Sequence, residues 1–446
     1  MSQPVLVYGL GVAGIATINF LLRRNIDVIA ADDRINEVRQ ADLRKLGIDV
    51  VIAPFGHELR DLVDCSQYVA PAPGIPESHP VITAALSQQK SLKTELDIAY
   101  EWEAERVAGA RPMVAVTGTD GKTTTVLMAE AILQAAGRKT IACGNTEIPL
   151  VEALDMDVDS FVVEATSFRL AFIESFRAEA SAWLNFDSDH LDWHESMSSY
   201  EAAKARIWRN VRPTDTAIGV SGELAVIKHL QKAQCRRRVV GGSGDYRTHG
   251  AMLVGPQSEI MSTSDLRRAL PHDVSNALVA SALCIESGLA TTAQAATALS
   301  NFVAPHHRIE FIAESRGIRW FDDSKATTPH AVVTALRGFE SVVLIAGGRN
   351  KDLDLAQIAI ESGRIKSVVA IGESAEMISQ VFAGKKTVAI ASSMQEAVEQ
   401  AARVSVAGDV VLLSPGCTSF DWYGGYAERG DHFAGLVRQF ISEDCS

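Results

Sequence analysis

The stretch Met113-Val-Ala-Val-Thr-Gly-Thr-Asp-Gly-Lys-Thr-Thr-Thr-Val-Leu127 decides the fold. Its first residues form a short uncharged apolar run, the pattern of a strand buried on both faces. A glycine loop follows, Thr117-Gly-Thr-Asp-Gly-Lys-Thr-Thr124, and then Val126, Leu127, Ile132 and Leu133 at helical spacing. Gly137 supplies a stop for that helix. Strand, glycine loop and helix in this order make a phosphate-binding unit. Backbone N–H groups of Gly118, Thr119, Asp120 and Gly121 cradle phosphates. Lys122 reaches the β/γ-phosphates, and Thr123, next to Thr124, offers a hydroxyl to Mg²⁺. The usual spacing GxxxxGK[ST] would put glycine at 116, where Val116 stands, so this loop is a shortened variant. These residues predict ATP binding.

Outward from this unit, strand-like runs alternate with helical patterns along nearly the whole chain, which predicts an α/β fold with parallel sheets. Upstream, Val5–Tyr8 leads into Gly9-Leu-Gly11-Val-Ala-Gly14, a GxGxxG loop that opens a helix. The next strand ends on Asp32 and Asp33, the arrangement that holds a nucleotide-type ligand. The Pro-rich segment from Pro71 to Pro80 reads as loop. Central strands are expected at 113–117, 139–143, 160–164 and 180–185. The Gly/Ser-rich stretch 241–264 is expected to be a surface excursion. A third series predicts strands at 317–322, 341–346, 367–371, 386–390 and 409–413. The resulting division is 1–93, a Rossmann-like domain, 94–303, a central ATP-binding domain, and 304–446, a second Rossmann-like domain.

Composition excludes more than it selects. The 446 residues carry 42 Lys+Arg against 55 Asp+Glu, a net charge of −13, which argues against a nucleic-acid binder. The six cysteines are scattered without a CxxC pair, as in a reducing compartment. No basic n-region, long apolar h-region or spanning segment is seen, so a cytoplasmic chain without membrane insertion is expected.

Three polar residues end central strands, where ligands bind in wound sheets: Asn145, Glu164 and Asn185. Glu164 closes an apolar run and reads as either a buried metal ligand or a capped surface acid, and a phosphate loop that needs Mg²⁺ favours the ligand. Asp187-Ser-Asp-His-Leu-Asp-Trp-His194 is dense in donors, but Leu191 stands where a zinc HExxH motif needs glutamate. An oxygen-rich Mg²⁺ or Mn²⁺ site with His190 as its one imidazole is chemically easier. Ser198-Ser-Tyr-Glu201 reads as a capping box opening a helix that carries Lys204.

The motifs TGTDGKTT, FVVEATSF, NFDSDHLDWH and YEAAKARI, in this order, resemble the Mur ligases, which add amino acids to the peptidoglycan precursor. FDDSKAT (321–327), AGGRNKD (346–352) and LSPGCTSFD (413–421), followed by Glu428-Arg-Gly430, resemble the D-glutamate-adding type within that family. The resemblance covers essentially the whole chain. It implies an ADP-forming ligase that joins D-glutamate to UDP-N-acetylmuramoyl-L-alanine through an acyl phosphate. The glycine loop of the first domain would then hold UDP rather than NAD. Gly11, Val12, Asp32, Arg34, Gly74, Asn145 and Thr166 are implied contacts of the UDP substrate. Asn276, Arg308, Asp323 and Lys325 are implied for the nucleotide, with the third domain closing upon it. Thr327, Lys351, Ser419 and Tyr426 are implied for D-glutamate. Thr123, Glu164, His190 and a carbamylated Lys204 are implied for the metal, and Lys122, Glu164, His190 and Lys204 for catalysis. A monomer is expected.

Several positions depart from the family pattern. Ala13 stands where a hydroxyl residue is common, and Arg169 where the run carries glutamine. Thr146-Glu147 replaces an apolar-Gly pair, and Asp273 replaces the asparagine of an HN pair. A nicotinamide dehydrogenase would explain only the first loop. Another Mur ligase or a folylpolyglutamate-synthetase-like ligase is the nearest enzyme alternative.

Overall fold

In the computed structural model, residues 3–351 and 353–444 are described, so Asp352 of the AGGRNKD run and Cys445 lie outside them. The chain divides into two compact units, residues 1–269 with 273–302, and residues 270–272 with 303–446.

The first unit contains two parallel sheets. The smaller has the order Val50–Ile52, Val28–Asp32, Val5–Tyr8, Val69–Pro71. The larger runs Arg236–Val240, Thr216–Val220, Ala180–Trp183, Met113–Thr117, Ser160–Glu164, Thr140–Gly144. The inner strands are buried throughout and mostly apolar: all five residues of Met113–Thr117 and of Ser160–Glu164 are buried, with polar residues only at strand ends. Val116 pairs with Glu164 and Thr117 with Trp183, so the carboxyl ends of three neighbouring strands lie level. After Met113–Thr117 the chain runs to one side of that strand, and Ala180–Trp183 lies on the other. The order therefore reverses at the strand that feeds the glycine loop, the place where a wound sheet opens a ligand crevice.

The helix Lys122–Ala135 follows this loop and buries Val126, Met128, Ala129, Ile132 and Leu133. Each larger side chain contributes roughly 1.5–3 kcal/mol on leaving water. Gly137, at φ 81°, ends the helix by donating its N–H to the Gln134 carbonyl. One apolar cluster runs through both sheets, joining Val5, Leu10, Ile18 and Phe20 to Met113, Phe161, Val163 and Trp183. The 241–264 stretch is more ordered than expected. Residues Arg247–His249, Met252–Val254 and Glu259–Ser262 form a three-stranded antiparallel sheet.

The second unit is a six-stranded sheet. Its parallel part is Ile318–Asp322, Val410–Leu413, Val342–Gly347, Ile365–Ile371, Thr387–Ala391. An antiparallel edge strand, Glu310–Ser315, absent from the sequence reading, pairs with Ile318–Asp322 across the Arg316-Gly317 turn. Helices Pro329–Leu336, Ala375–Phe382, Met394–Val404 and Tyr426–Asp444 accompany the sheet. No helix among the described residues is long and apolar enough to cross a membrane.

Candidate active site

The glycine loop is shaped from three sides. Gly121 sits at φ 79°, capping the helix Lys122–Ala135. A Cβ there would lie 2.9 Å from Asn276 Oδ1, so a side chain is excluded on both counts. Asn276 also accepts a hydrogen bond from the Thr125 hydroxyl at 3.2 Å. The Asn185 side chain accepts from the N–H groups of Thr119 and Asp120 at 2.8 and 2.9 Å, and donates to the Asp120 carbonyl at 3.3 Å. Asn185, flagged in the sequence only by its place at a strand end, is thus the brace of the loop. Lys122 Nζ folds back on the Gly118 and Thr119 carbonyls, at 3.0 and 2.8 Å. Thr124 is buried and Thr123 half-buried in the first helical turn.

Beside the loop, Glu164 is 2% exposed at the end of its strand. Its Oε1 accepts from Asn145 Nδ2 at 3.0 Å. Its Oε2 is buried with no hydrogen-bond partner among the described residues, as are the hydroxyls of Thr117, Thr166 and Ser167. A buried carboxylate oxygen with no donor is costly unless a cation or donor meets it. Lys204 is 1% exposed, and its Nζ donates to the Gly118 carbonyl at 2.6 Å. Burial, and then the charge of Lys122, pull its pKa well below the ordinary lysine value. The His190 ring lies against Phe168, with Asp189 3.1 Å from its Nε2. Its pKa falls to about 3, through burial first and then Lys122 and Lys204, so the imidazole is neutral as a metal ligand requires. Asp189 is held above the usual carboxylate range, chiefly by burial.

The capping box of the Lys204 helix is not Ser198 to Glu201. Ser196 caps the helix Met197–Ala205 and reciprocates with Ser199, while Glu201 pairs with Lys228 and His229. The preceding turn is anchored by His194, whose fully buried side chain pairs through Nδ1 with Glu77 at 3.0 Å. Its ring stacks on Phe168, so His194 is a packing residue here.

At the first glycine loop each glycine has its own reason. A Cβ on Gly14 would meet the Gly9 carbonyl oxygen at 1.9 Å, so close strand–helix packing requires glycine there. Gly11 faces open space beside the exposed Val12, which leaves the helix N-terminus accessible. Asp32 is engaged in the turn: Oδ2 accepts from the Leu10 N–H at 2.5 Å and Oδ1 from the Arg34 N–H at 2.9 Å. Arg34 and Gly74 are exposed, and Thr166 is buried as the N-cap of Ser167–Leu170. Asp33 binds the Tyr8 hydroxyl at 2.7 Å and His79 Nε2 at 3.0 Å, a cluster the sequence reading did not anticipate.

The second unit assembles its own set. Asp323 is buried, accepts from the Ser414 hydroxyl at 2.7 Å, and is pushed up to about 7 by burial and neighbouring Asp322. Arg308 opposes that shift electrostatically. Lys325 Nζ lies 3.8 Å from the centre of the Tyr426 ring. The Ser324 hydroxyl donates to the Tyr426 carbonyl at 2.8 Å, and buried Arg429 ties Ser324 to the Cys417 carbonyl. Thr327 and Ser419 flank this knot, half-buried and buried, while Lys351 is exposed. His307, Glu310 and Asp322 converge within 4.8 Å, but Asp322 bonds the His307 ring and Glu310 bonds His306 and the His307 N–H.

Sequence profiles match in chain order: the MurD-like N-terminal domain of Mur ligases over residues 3–93, the Mur ligase middle domain over 116–284, and the Mur ligase glutamate ligase domain over 307–417. The chain belongs to the Mur ligase family. Mur ligase relatives include the UDP-N-acetylmuramoylalanine–D-glutamate ligases of Frankia casuarinae and Syntrophus aciditrophicus. They are 37% and 35% identical over 98% of this chain, covering 94% and 98% of their own lengths. Among solved Mur ligase folds, a pseudomurein peptide ligase type C from Methanothermus fervidus matches with TM-score 0.63 at 17% identity, covering 98% of this chain and 100% of that one. The UDP-N-acetylmuramate–alanine ligase of Thermotoga maritima matches with TM-score 0.58 at 20% identity, covering 98% and 99%.

Proposed function

We propose that this chain is the ATP-dependent ligase that joins D-glutamate to the alanyl carboxylate of UDP-N-acetylmuramoyl-L-alanine, forming ADP and phosphate. The observation that carries the reaction class is Glu164: a buried acid with one oxygen unpartnered among the described residues, level with a phosphate loop. The choice of amino acid follows from the relatives, which match over nearly the full chain. The match of residues 3–93 to a MurD-like N-terminal domain weighs against a folylpolyglutamate-synthetase-like reading.

The alanyl carboxylate attacks the γ-phosphorus of ATP, giving an acyl phosphate and ADP. The amine of D-glutamate then attacks the acyl carbon and phosphate leaves. Negative charge grows on oxygen in both steps, so positioning and electrostatics do most of the work. Loop N–H groups from Gly118 to Thr124, held in shape by Asn185, cradle the phosphates. Lys122 leaves its own loop carbonyls and pairs with the transferring phosphoryl group. Mg²⁺, when bound, supplies further charge neutralisation on these oxygens. The residues fit it: Thr123, Glu164 Oε2 and neutral His190 are hard or borderline donors, and Lys204 joins them once carbamylated. An uncharged buried amine is the form that reacts with CO₂, and burial favours that form of Lys204. Gly11, Val12, Asp32, Arg34, Gly74, Asn145 and Thr166 are assigned to the UDP substrate, and Asn276, Arg308, Asp323 and Lys325 to the nucleotide. Thr327, Lys351, Ser419 and Tyr426 are assigned to D-glutamate. The reading places the chain in the cytoplasm, working as a monomer.

The test is phosphate release with ATP, Mg²⁺, UDP-N-acetylmuramoyl-L-alanine and a panel of amino acids. Release is expected with D-glutamate and to fall at least ~100-fold in Lys122→Ala, the scale of losing one transition-state contact. Release with L-lysine or diaminopimelate in place of D-glutamate would refute the amino-acid assignment. Undiminished release by Lys122→Ala would refute the phosphate loop.

A further inference from the structure

Arg169, one of the departures noted in the sequence, lies in the short helix Ser167–Leu170 just beyond Glu164. It is 6% exposed. Its Nε donates to Glu95 Oε1 at 2.9 Å, and its Nη1 donates to Asn145 Oδ1 at 2.7 Å. Glu95 is itself 4% exposed and accepts from the Val151 N–H through its other oxygen. Asn145 then donates to Glu164 Oε1 at 3.0 Å. The result is a four-residue relay, Glu95 to Arg169 to Asn145 to Glu164, which ends at Oε1 of the carboxylate whose other oxygen, Oε2, has no partner among the described residues.

The relay has one polarity. A guanidinium has five donors and no acceptor, so only the amide oxygen of Asn145 can face it. The amide nitrogen must then face Glu164. A glutamine at 169 both donates and accepts, and would not itself select between the two orientations of Asn145. Asn145 is exposed, so without a buried partner its amide would be free to turn toward solvent. Glu95 neutralises Arg169 locally, so the guanidinium can sit near a cation site without adding net charge.

We infer that Arg169 is a positioning residue of this ligase. It fixes the amide of Asn145 and, through it, the carboxylate of Glu164, so that Oε2 is presented to a divalent cation. The inference rests on the metal assignment of Glu164 made above.

The test uses Mn²⁺ with a non-hydrolysable ATP analogue and reads free Mn²⁺ by electron paramagnetic resonance. The charge-balanced variant Glu95→Gln/Arg169→Met removes the relay and leaves no unpaired buried charge. Its Mn²⁺ Kd is expected to rise about 10- to 100-fold, the usual effect of losing a partner behind a ligand. Asn145→Ala should raise the Kd by a similar factor, and the triple variant by no more than either, because the residues act in series. A residue serving only the fold would lower Tm and leave the Mn²⁺ Kd of the folded protein unchanged, and that result overturns the inference. Additive effects of the two changes overturn it as well. A wild-type chain that fails to hold Mn²⁺ removes the metal assignment and this inference together. Normal wild-type affinity with an unaffected variant removes the inference alone.

Discussion

Replacing Lys204 with methionine tests the charge state on which its proposed modification depends. Lys204 is 1% exposed, makes its hydrogen bond to a neutral carbonyl, and has a pKa well below 10.5. In the fold it is therefore uncharged at pH values where the unfolded chain carries its proton. Unfolding takes up a proton over that window, so Lys204 lowers stability as pH falls from 10.5 toward its folded pKa. The slope is about 1.4 kcal/mol per pH unit. Lys204→Met keeps an unbranched side chain one atom shorter and has no proton to bind. The stability of the variant minus that of the wild type should therefore grow as pH falls below 10.5, and level off once the pH passes the folded pKa. Urea unfolding in CO₂-free buffer, followed by tryptophan fluorescence, measures the difference at each pH. The lost contact to Gly118 and the changed packing shift the difference by a constant and leave the slope untouched. A difference that does not change with pH would mean that Lys204 is charged in the fold, and would refute the reasoning.

Asn185→Ala should release the glycine loop. With two N–H groups losing their acceptor, the KM for ATP should rise about tenfold or more, the equivalent of one net hydrogen bond. Asp323, raised to about 7, stays protonated in the fold while the unfolded side chain ionises near 3.8. It therefore favours the fold at low pH, and that advantage is lost as pH rises from 4 to 7, by roughly 4 kcal/mol. Asp323→Asn should remove this fall, seen as a smaller change in urea midpoint over the same range. Lys351→Ala should raise the KM for D-glutamate about 10- to 100-fold, the scale of a charge-assisted hydrogen bond, with the KM for ATP unchanged.

The sheets were legible because strands buried on both faces are written in one alphabet. MVAVT and SFVVE contain nothing but residues that tolerate full burial, or a polar residue at the last position. The elements that escaped include Thr216–Val220 and Arg236–Val240 of the larger sheet and Val50–Ile52 and Val69–Pro71 of the smaller one, together with others whose pattern is diluted. The antiparallel sheet over residues 247–262 is made of three- and four-residue strands in a Gly/Ser-rich stretch, and Glu310–Ser315 is a half-exposed edge. The helix cap slipped by two residues because Ser196, Ser198 and Ser199 offer equivalent hydroxyls, and only the backbone decides among them. At the candidate site, chemistry could be read from residue type, and partners could not. Asn185 braces a loop about 65 residues away, and Arg169 reaches 74 residues back to Glu95. Such pairings appear only when the chain is folded.

The apolar cluster that runs through both sheets of the first unit sets the rule for rebuilding this enzyme. Phe20 and Leu10 come from the segment around the first glycine loop and Phe161 and Trp183 from the segment around the second, yet they belong to one continuous interior. A chimera that exchanges only the first ~93 residues cuts through that interior and asks two foreign half-cores to interlock. A chimera joined near residue 302 leaves it whole. Interchangeable parts in this chain are therefore defined by shared packing rather than by which ligand each segment serves.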